Sequence, residues 1–432
     1  MQEANSTKSQ PIWLTLTERL STALIAFYQF IAVVILIVAP ILAYTYTKIP
    51  FLGAFVEHTL LLNVSSPSQA GTWELYNQHL PFGYRIRSID GNPVTSLYML
   101  RNVLKQRTIG KQITITLEDK SGETKTFQIT LRQFPVVDFI TYFVIPYLIA
   151  IVYLACGIWV FAFHRRDNAG KAFAIFTISV ALALSTFFDS FTTGNLVPLW
   201  TLALAMAGGG LVCLALLFPE DGKLVLNFPI LRWVSLVPSA IIILLAYPTL
   251  YNTSKPYAYI TGWRAGIIYS GLAIVFFVIV MLLRRFASTS PIIREQIRQA
   301  LIGAAFSFSP FAFWFMSSLT WRSLPFSPLL LLPLGIFPVM LTYALARYCL
   351  LQSESLVKQA LIYSIITLAT AVGFALILSG ISLIIGGAAK ANNPYILGAI
   401  VFLLALFIQP LIDRVRRVVN TTFSRGQATY RS

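Results

Sequence analysis

Ten apolar stretches, each about as long as a membrane-spanning helix, constrain this chain of 432 residues more than any other feature. A helix needs ~20 mostly apolar residues to cross the hydrocarbon core of a bilayer. The stretches cover residues 20–43, 138–163, 172–190, 198–218, 233–251, 265–283, 300–318, 328–346, 361–388 and 395–411. This spacing predicts an all-α membrane protein, a polytopic bundle of about ten transmembrane helices.

The low share of charged residues excludes an ordinary soluble protein. Charged residues make up 11% of the chain, whereas soluble domains carry roughly 25%. The net charge of +16 does not indicate a nucleic-acid partner, because the cations follow the predicted membrane loops. Cys156, Cys213 and Cys349 lie in or beside apolar stretches and imply no disulfide framework. The partner that composition does imply is the lipid bilayer.

The distribution of Lys and Arg predicts the orientation, because short cytoplasmic loops carry an excess of these residues. With the N-terminus inside, 18 of the 32 cations lie in inner segments, 4 in short outer loops and 10 in the long first loop. We therefore expect a multi-pass protein of the inner (plasma) membrane with both termini cytoplasmic. The expected order is a cytoplasmic N-terminus with the first helix (1–43), an extracytoplasmic loop (44–137), a nine-helix transmembrane bundle (138–411) and a cytoplasmic amphipathic basic tail (412–432).

The long first loop contains the only sizeable segment with the pattern of a soluble fold, at about residues 80–134. Alternation of Ile113, Ile115 and Leu117 with polar residues is typical of a half-buried strand. The predicted order is a strand over 84–89, an Asp-Gly turn at 90–91, a short run from Val94, a helix with Leu97, Leu100 and Leu104 behind an N-cap at Ser96, a strand over 112–117, a turn at 121–122 and a strand over 127–131. This order describes a small α+β domain inserted after the first helix. Residues 50–78 show only weak pattern.

Residues 83–94 read Gly-Tyr-Arg-Ile-Arg-Ser-Ile-Asp-Gly-Asn-Pro-Val, a glycine and a hydrophobic strand followed by an Asp-Gly-x-Pro-Val turn. The segment resembles the later part of a bacterial PDZ domain. The resemblance implies an extracytoplasmic PDZ-like domain that binds the C-terminus of a peptide or protein as an added strand. The candidate peptide-binding residues are Leu80, Pro81, Phe82 and Gly83, although no clear strand precedes them. The alternative is a structural spacer domain without a ligand.

The sequence contains no recognised catalytic motif. His58, His79 and His164 lack the Glu-x-x-His spacing of an intramembrane zinc protease. Since a Gly-x-Ser-x-Gly nucleophile turn and a Walker-type phosphate loop are also missing, we expect no enzyme, no cofactor and no metal. Asp189, near the outer end of the third apolar stretch, is the candidate intramembrane polar site. It is either a ligand or helix-pairing group inside the bundle or an interfacial acid exposed to outer water.

Two stretches near the C-terminus carry a second resemblance. Residues 343–351 read Tyr-Ala-Leu-Ala-Arg-Tyr-Cys-Leu-Leu, and residues 409–419 read Gln-Pro-Leu-Ile-Asp-Arg-Val-Arg-Arg-Val-Val. They are similar to the inner loop and the exit helix in the membrane sensor region of bacterial histidine kinase-like proteins. The resemblance implies a signal-input region without its own kinase core, because no histidine follows His164. A cytoplasmic kinase would then be a partner.

The exit helix has a single apolar stripe, which makes it the candidate signal-output helix. The stripe consists of Leu411, Ile412, Val415, Val418 and Val419. It can pair with a second copy of the chain or with a partner, or lie on the inner leaflet.

The favoured function is an integral-membrane sensor that couples the PDZ-like domain outside to the output helix inside. A scaffold whose PDZ-like domain recruits envelope proteins or peptides is the alternative. A transporter is less favoured, because acids are scarce in the apolar stretches.

Overall fold

A computed structural model describes residues 12–349, apart from 64–72, 79, 81–82, 166, 229, 253 and 321–326. Within these residues the chain is mostly helical and carries one small antiparallel sheet of four strands. Seven helices are long and apolar enough to cross a membrane. The described part of the chain is therefore that of a multi-pass membrane protein.

The seven candidate spans coincide with seven of the predicted apolar stretches. They lie at Glu18–Thr47, within the longer helix α1 (Ile12–Thr47), and at α3 (Val136–His164), α4 (Asn168–Ser190), α5 (Val197–Leu217), α6 (Leu231–Thr249), α7 (Tyr259–Ala287) and α9 (Pro328–Leu345). Most are longer than predicted, because helical hydrogen bonding continues past the apolar core into polar flanks. The span α6 is interrupted by short irregular turns, and it contains Pro238 and Pro248.

The predicted stretch 300–318 lies in a helix that is not among the seven spans. This helix, α8 (Pro291–Thr320), starts with charged residues and carries serines farther along. It runs antiparallel to α9, since Gln296 Nε2 donates to the carbonyl of Ala344 (3.1 Å) and Ser307 Oγ donates to that of Pro333 (3.0 Å). The stretches 361–388 and 395–411 lie outside the described residues, so a count of ten helices stays a prediction.

Three consecutive glycines place α5 in contact with three other helices. Gly208 faces α7, Gly209 faces α6 and Gly210 faces α4. A Cβ atom at Gly210 would lie 2.8 Å from the backbone Cα of Phe176, and one at Gly209 would lie 2.3 Å from Oγ of Ser239. Only glycine permits such close backbone approach, which is a common device of helix packing in membranes. The helix α4, beside α5, is the most buried of the seven spans.

The sheet has the predicted order of strands, turns and helix. Its elements are β1 (Arg85–Ile89), β2 (Asn92–Pro93), α2 (Leu97–Lys105), β3 (Gln112–Glu118) and β4 (Thr124–Thr130), with the strands in the spatial order β2-β1-β3-β4. The hydroxyl of Ser96 accepts a hydrogen bond from the backbone N–H of Met99 (3.2 Å) and caps α2 as expected. Ile115 is fully buried, pairing with Ile89 on β1 and with Phe127 on β4.

Residues 50–62 complete the sheet on both sides, which the sequence did not reveal. Phe51 exchanges two backbone hydrogen bonds with Arg132, just beyond β4 (2.7 and 3.1 Å). Leu62 N donates to Tyr84 O (2.8 Å), and Ile86 N donates to Leu60 O (3.0 Å). A strand-like segment therefore does precede Gly83, contrary to the sequence-based expectation.

Candidate functional site

Residues 50–62 and the sheet with α2 (83–132) together form what we call the sheet domain, which contacts the helix bundle through a tight turn. Residues 56–62 form a hairpin in which Leu60 N donates to Glu57 O (2.8 Å) and Glu57 N donates to Leu61 O (2.9 Å). Leu60 adopts a left-handed conformation with φ +69° to close the turn. The hairpin places two ionisable side chains, Glu57 and His58, between the C-terminal end of α6 and the N-terminal end of α7.

Glu57 lies almost fully buried, with 3% of its surface exposed. One carboxylate oxygen accepts a hydrogen bond from Asn63 Nδ2 (2.6 Å), and the other accepts one from the Tyr259 hydroxyl of α7. Burial raises the pKa of this carboxyl to about 7, because the charged form loses its hydration. Near neutral pH the group is therefore poised between its neutral and charged forms.

His58 lies beside it, enclosed by aromatic rings. The centroid of its ring lies 4.6 Å from that of Tyr259, 5.5 Å from that of Tyr251 and 5.7 Å from that of Trp263. Nε2 is 2.7 Å from the carbonyl oxygen of Leu250, an acceptor, so Nε2 carries the proton. Nδ1 is buried and has no hydrogen-bond partner among the described residues. Burial lowers the pKa of His58 to about 4, so the ring is neutral in this position.

An aromatic cluster forms the second contact between sheet domain and bundle. Phe51, Phe55 and Trp73 from the first loop pack against residues of α3 and α4 such as Tyr142 and Phe188. Most of these ring pairs meet edge to face, the arrangement that aromatic quadrupoles favour. The domain is thus fixed to the ends of the helices.

The indole of Trp73 adds a polar contact within this cluster. Its Nε1 donates a 2.8 Å hydrogen bond to the carboxylate of Asp138, at the start of α3. Both residues have no measurable exposure. A buried polar pair of this kind holds one relative position of the two parts, because separation would leave each group without this partner in a dry site.

The groove between α2 and residues 49–56 is closed by the α4–α5 loop. The remaining cavity has a volume of about 20 Å³, room for about one water molecule and too little for a peptide side chain. Thr192 of the loop lines it, and the Arg101 guanidinium of α2 donates to the carbonyl of Thr193. A Cβ atom on Gly194, where φ is +65°, would lie 3.0 Å from Leu97 and 3.2 Å from His58.

Asp189 organises this loop from the end of α4. Its side chain is 4% exposed, accepts a hydrogen bond from the Thr193 hydroxyl and accepts one from Leu196 N at 2.6 Å. The interpretation of Asp189 as an interfacial acid exposed to water is therefore wrong. Its bonds are to the α4–α5 loop and to the residue that precedes α5, and its role as a ligand or helix-pairing group inside the bundle stays a prediction.

The predicted peptide-binding residues are only partly visible. Leu80 packs, half-buried, against the sheet core. The carbonyl of Gly83 accepts a 2.6 Å hydrogen bond from the Tyr257 hydroxyl in the α6–α7 loop. Pro81 and Phe82 lie outside the described residues, and so does the candidate output stripe from Leu411 to Val419. Their roles stay predictions.

Sequence reasoning missed the Glu57–His58 turn, although a signal was present. Two adjacent ionisable residues interrupt an otherwise apolar run, Phe55-Val56 before them and Leu60-Leu61-Leu62 after them. Ionisable residues are rarely buried unless they are hydrogen-bonded, so their position in this apolar run indicates a buried site with polar partners.

The Glu57–His58 turn thus places two titratable groups and their hydrogen bonds at the contact between the sheet domain and the bundle. Among the described residues, no cluster of three or more His, Cys, Asp or Glu side chains forms a metal site. Comparison with protein-family models, curated proteins and solved structures finds no match to this chain.

Proposed function

We propose that this chain is a signal-input module of the plasma membrane, in which an extracytoplasmic PDZ-like domain controls the packing of a transmembrane bundle of about ten helices. The observation that carries the proposal is the insertion of the Glu57–His58 turn between the ends of α6 and α7. A domain that served only as a tethered spacer would not need two buried ionisable side chains at its contact with the helices, since such burial costs free energy. The proposal assigns the chain no catalytic activity and no cofactor.

The closed groove beside α2 supports a switch with two states. A peptide or protein that adds a strand next to α2 has to displace the α4–α5 loop, because Thr192 and Gly194 fill that space. Displacement also breaks the bond between Arg101 and Thr193. Ligand binding and loop docking therefore compete, and a ligand shifts the population toward the undocked state by its differential affinity.

The helices provide a path from this contact to the opposite end of the bundle. His58 is hydrogen-bonded to the carbonyl of Leu250, which follows α6, and Glu57 is hydrogen-bonded to the hydroxyl of Tyr259, at the start of α7. At the other end of α7, Arg284 donates to the carbonyls of Leu216 and Phe218, at the end of α5. A tilt of α7 at its outer end is thereby passed to α5 at its inner end.

The contacts of the sheet domain agree with the proposed orientation. Loops 191–196 and 250–258, which the cation distribution places outside, both contact the sheet domain, through Thr193 and Leu250. In the proposed mechanism the inner ends of the helices then pass the change to residues 411–419 and on to a cytoplasmic kinase or a second copy of the chain.

A reversible crosslink tests the mechanism. After the native cysteines are replaced, cysteines are introduced at Lys120 and Tyr257, whose side chains lie 5.3 Å apart from ammonium to ring centroid. A membrane-impermeant bifunctional thiol reagent with a disulfide in its spacer joins them, so that a reductant can cleave the link. We expect this lock to change the pattern of disulfide formation between single cysteines from Leu411 to Val419 in membranes, and a reductant applied before that assay to restore it. A matched control joins Thr114 and Gln128, which pair within the sheet. An output pattern that ignores the first lock, or responds equally to both, contradicts coupling.

A membrane scaffold is the second candidate, and the edge strand β4 favours it. β4 lies at the end of the sheet order, and its residues Thr124 to Thr126 are exposed. An exposed edge can accept a peptide strand without any movement of the α4–α5 loop. Protection of β4 amides from hydrogen exchange by an envelope peptide, with docking unchanged, would support the scaffold over the sensor.

A further inference from the structure

Three exposed lysines and one exposed isoleucine lie at one end of the sheet domain. Lys48, Lys105 and Lys111 are solvent-exposed, and Ile109 between the latter two has 57% of its surface exposed. We call these four residues the basic rim. Among the described residues no carboxylate forms an ion pair with any of the three lysines.

The basic rim lies next to the two points at which the chain enters spanning helices. Lys48 directly follows α1. Gly110 N donates to Leu131 O (2.7 Å) and Leu131 N donates to Lys111 O (2.9 Å), four to five residues before α3 begins at Val136. Neighbouring strands are about 4.8 Å apart, so Lys111 lies within about 10 Å of the segment that joins Phe51 to α1.

Acidic side chains near the basic rim are already engaged. Arg107 forms an ion pair with Asp90 (2.8 Å), and Arg132 forms one with Glu74 (2.9 Å). Among the described residues, the rim therefore keeps its positive charge without a carboxylate partner, close to the ends of α1 and α3. Tyr44, in the last turn of α1, is 45% exposed beneath the ammonium group of Lys48 (4.8 Å to the ring centroid), a placement typical of interfacial aromatic residues.

We propose that the basic rim is a lipid-contact surface, on which Ile109 enters the interfacial layer while Lys48, Lys105 and Lys111 bind anionic headgroups. Long cationic side chains and a single aliphatic side chain at this depth match the chemistry of a bilayer surface, apolar below and anionic above. The contact is independent of any peptide ligand and fixes the height of the sheet domain above the membrane.

The test uses the full chain in vesicles of phosphatidylcholine, alone or mixed with phosphatidylglycerol. After replacement of the native cysteines, Ile109→Cys carries an environment-sensitive fluorophore, and lipids brominated near the headgroup act as quenchers. We expect a blue-shifted emission that these lipids quench, with stronger quenching in the phosphatidylglycerol mixture. The same label on Gly122→Cys, at the opposite turn of the β3–β4 hairpin, should show neither.

Charge variants in the labelled background isolate the headgroup contact. Phosphatidylglycerol should increase quenching of the label much less in the double variant Lys105→Gln/Lys111→Gln. We expect the affinity of the rim for this lipid to fall about fivefold or more, since each cation near the surface contributes a comparable factor. Lys125→Gln removes an exposed cation from β4 and should leave the preference unchanged. Emission at Ile109→Cys that matches Gly122→Cys overturns the proposal. A blue shift without quenching by brominated lipid also overturns it, because that result indicates contact with protein.

Discussion

Tyr259 and Glu57, which are 202 positions apart in the chain, are joined by a hydrogen bond from the phenol to the carboxyl group at the contact between the sheet domain and the bundle. Tyr259 belongs to α7, and Glu57 belongs to the hairpin that completes the sheet. Among the described residues, Asn63 makes the other side-chain hydrogen bond to this acid, which lies in a nearly dry site. Loss of this bond should therefore destabilise the contact between the sheet domain and α7.

Tyr259→Phe should weaken docking of the sheet domain. The variant keeps the ring but removes a hydrogen bond to a buried acid, which costs about 1.5–3 kcal/mol when the acceptor is charged. We expect a lower melting temperature and faster hydrogen exchange of amides from Glu57 to Leu62. Tyr251→Phe is the matched control, because its hydroxyl makes only a 3.3 Å contact with Gly194 O from a half-exposed position. Equal effects of the two variants would contradict a special role for the Glu57 bond.

Docking should depend little on pH between 4.5 and 6.5, because Glu57 and His58 respond in opposite senses. In the docked state the pKa of Glu57 is about 7 and that of His58 about 4, against ordinary values of 4.5 and 6.5. Across that interval the docked state holds one proton on Glu57, and the undocked state holds one on His58. No net proton is then taken up or released, so linkage predicts a flat profile.

Single variants should reveal the two opposing slopes. Glu57→Gln leaves His58, whose lowered pKa makes docking weaker as pH falls from 6.5 towards 4. His58→Gln leaves Glu57, whose raised pKa makes docking weaker as pH rises from 4.5 towards 7. The largest expected change is about 3 kcal/mol in either case, since one pKa unit corresponds to 1.36 kcal/mol. Melting temperatures of the three proteins across this range provide the measurement, and parallel profiles would show that the two side chains do not titrate on undocking.

Gly210→Ala should destabilise the bundle, whereas Gly271→Ala should not. A Cβ atom at Gly210 meets the backbone of Phe176 at 2.8 Å, so α4 and α5 have to separate. Overpacking of this kind costs about 1–3 kcal/mol. Gly271 in α7 has open space around it. Thermal unfolding in detergent distinguishes the two, and an unchanged melting temperature for Gly210→Ala would show that the helices pack less closely.

Ile115→Ala should cost the full chain about 2–5 kcal/mol, as large truncations in a packed core do. Ile115 is fully buried between β1 and β4. Thr116→Ala, on the other face of β3 and only half-buried, should change stability far less. Urea midpoints of the two variants compare the faces directly. A larger effect of Thr116→Ala would mean that the strand faces the opposite way.

Cysteines at Gly122 and Lys255 should label with an impermeant thiol reagent in intact cells, whereas a cysteine at Asn227 should not. The sheet domain contacts the α6–α7 loop that contains Lys255, through the bond between Tyr257 and Gly83. Asn227 lies between α5 and α6, across the bundle. Native cysteines are replaced beforehand. Labelling of Asn227 alone would show that the orientation is the reverse of the proposed one. Labelling of all three sites would contradict the proposed set of membrane spans.

Local pattern predicted the elements whose burial is one-sided. Leu97, Leu100 and Leu104 lie on the buried face of α2, and Ile113, Ile115 and Leu117 on that of β3, since one face of each element meets water. The Ser96 cap depends on a neighbour three positions away and is equally local. Helix spans were predictable for the same reason, because their length follows from the thickness of the bilayer.

The contact with the bundle could not be predicted, because it is neither local nor periodic. Residues 51–62 are buried on one side by the sheet and on the other by the helices, so no alternation of polar residues remains. The partners of Glu57 and His58, Tyr259 and Leu250, follow about 200 positions later. A single sequence contains no sign of which distant residues will satisfy a buried acid.

In the proposed sensor, the short links between the sheet domain and the helices limit how far the domain can move. Only the residues between Thr47 and Phe51, and between Arg132 and Val136, connect the domain to α1 and α3, and Phe51 and Arg132 are bonded to each other. Each link has four Cα–Cα steps, which reach at most about 14 Å when the chain is extended. The near edge is therefore the hinge of the proposed motion, and the far edge, with His58 and Gly83, moves farther. An outside stimulus would rock this domain by an angle and would not lift it from the membrane.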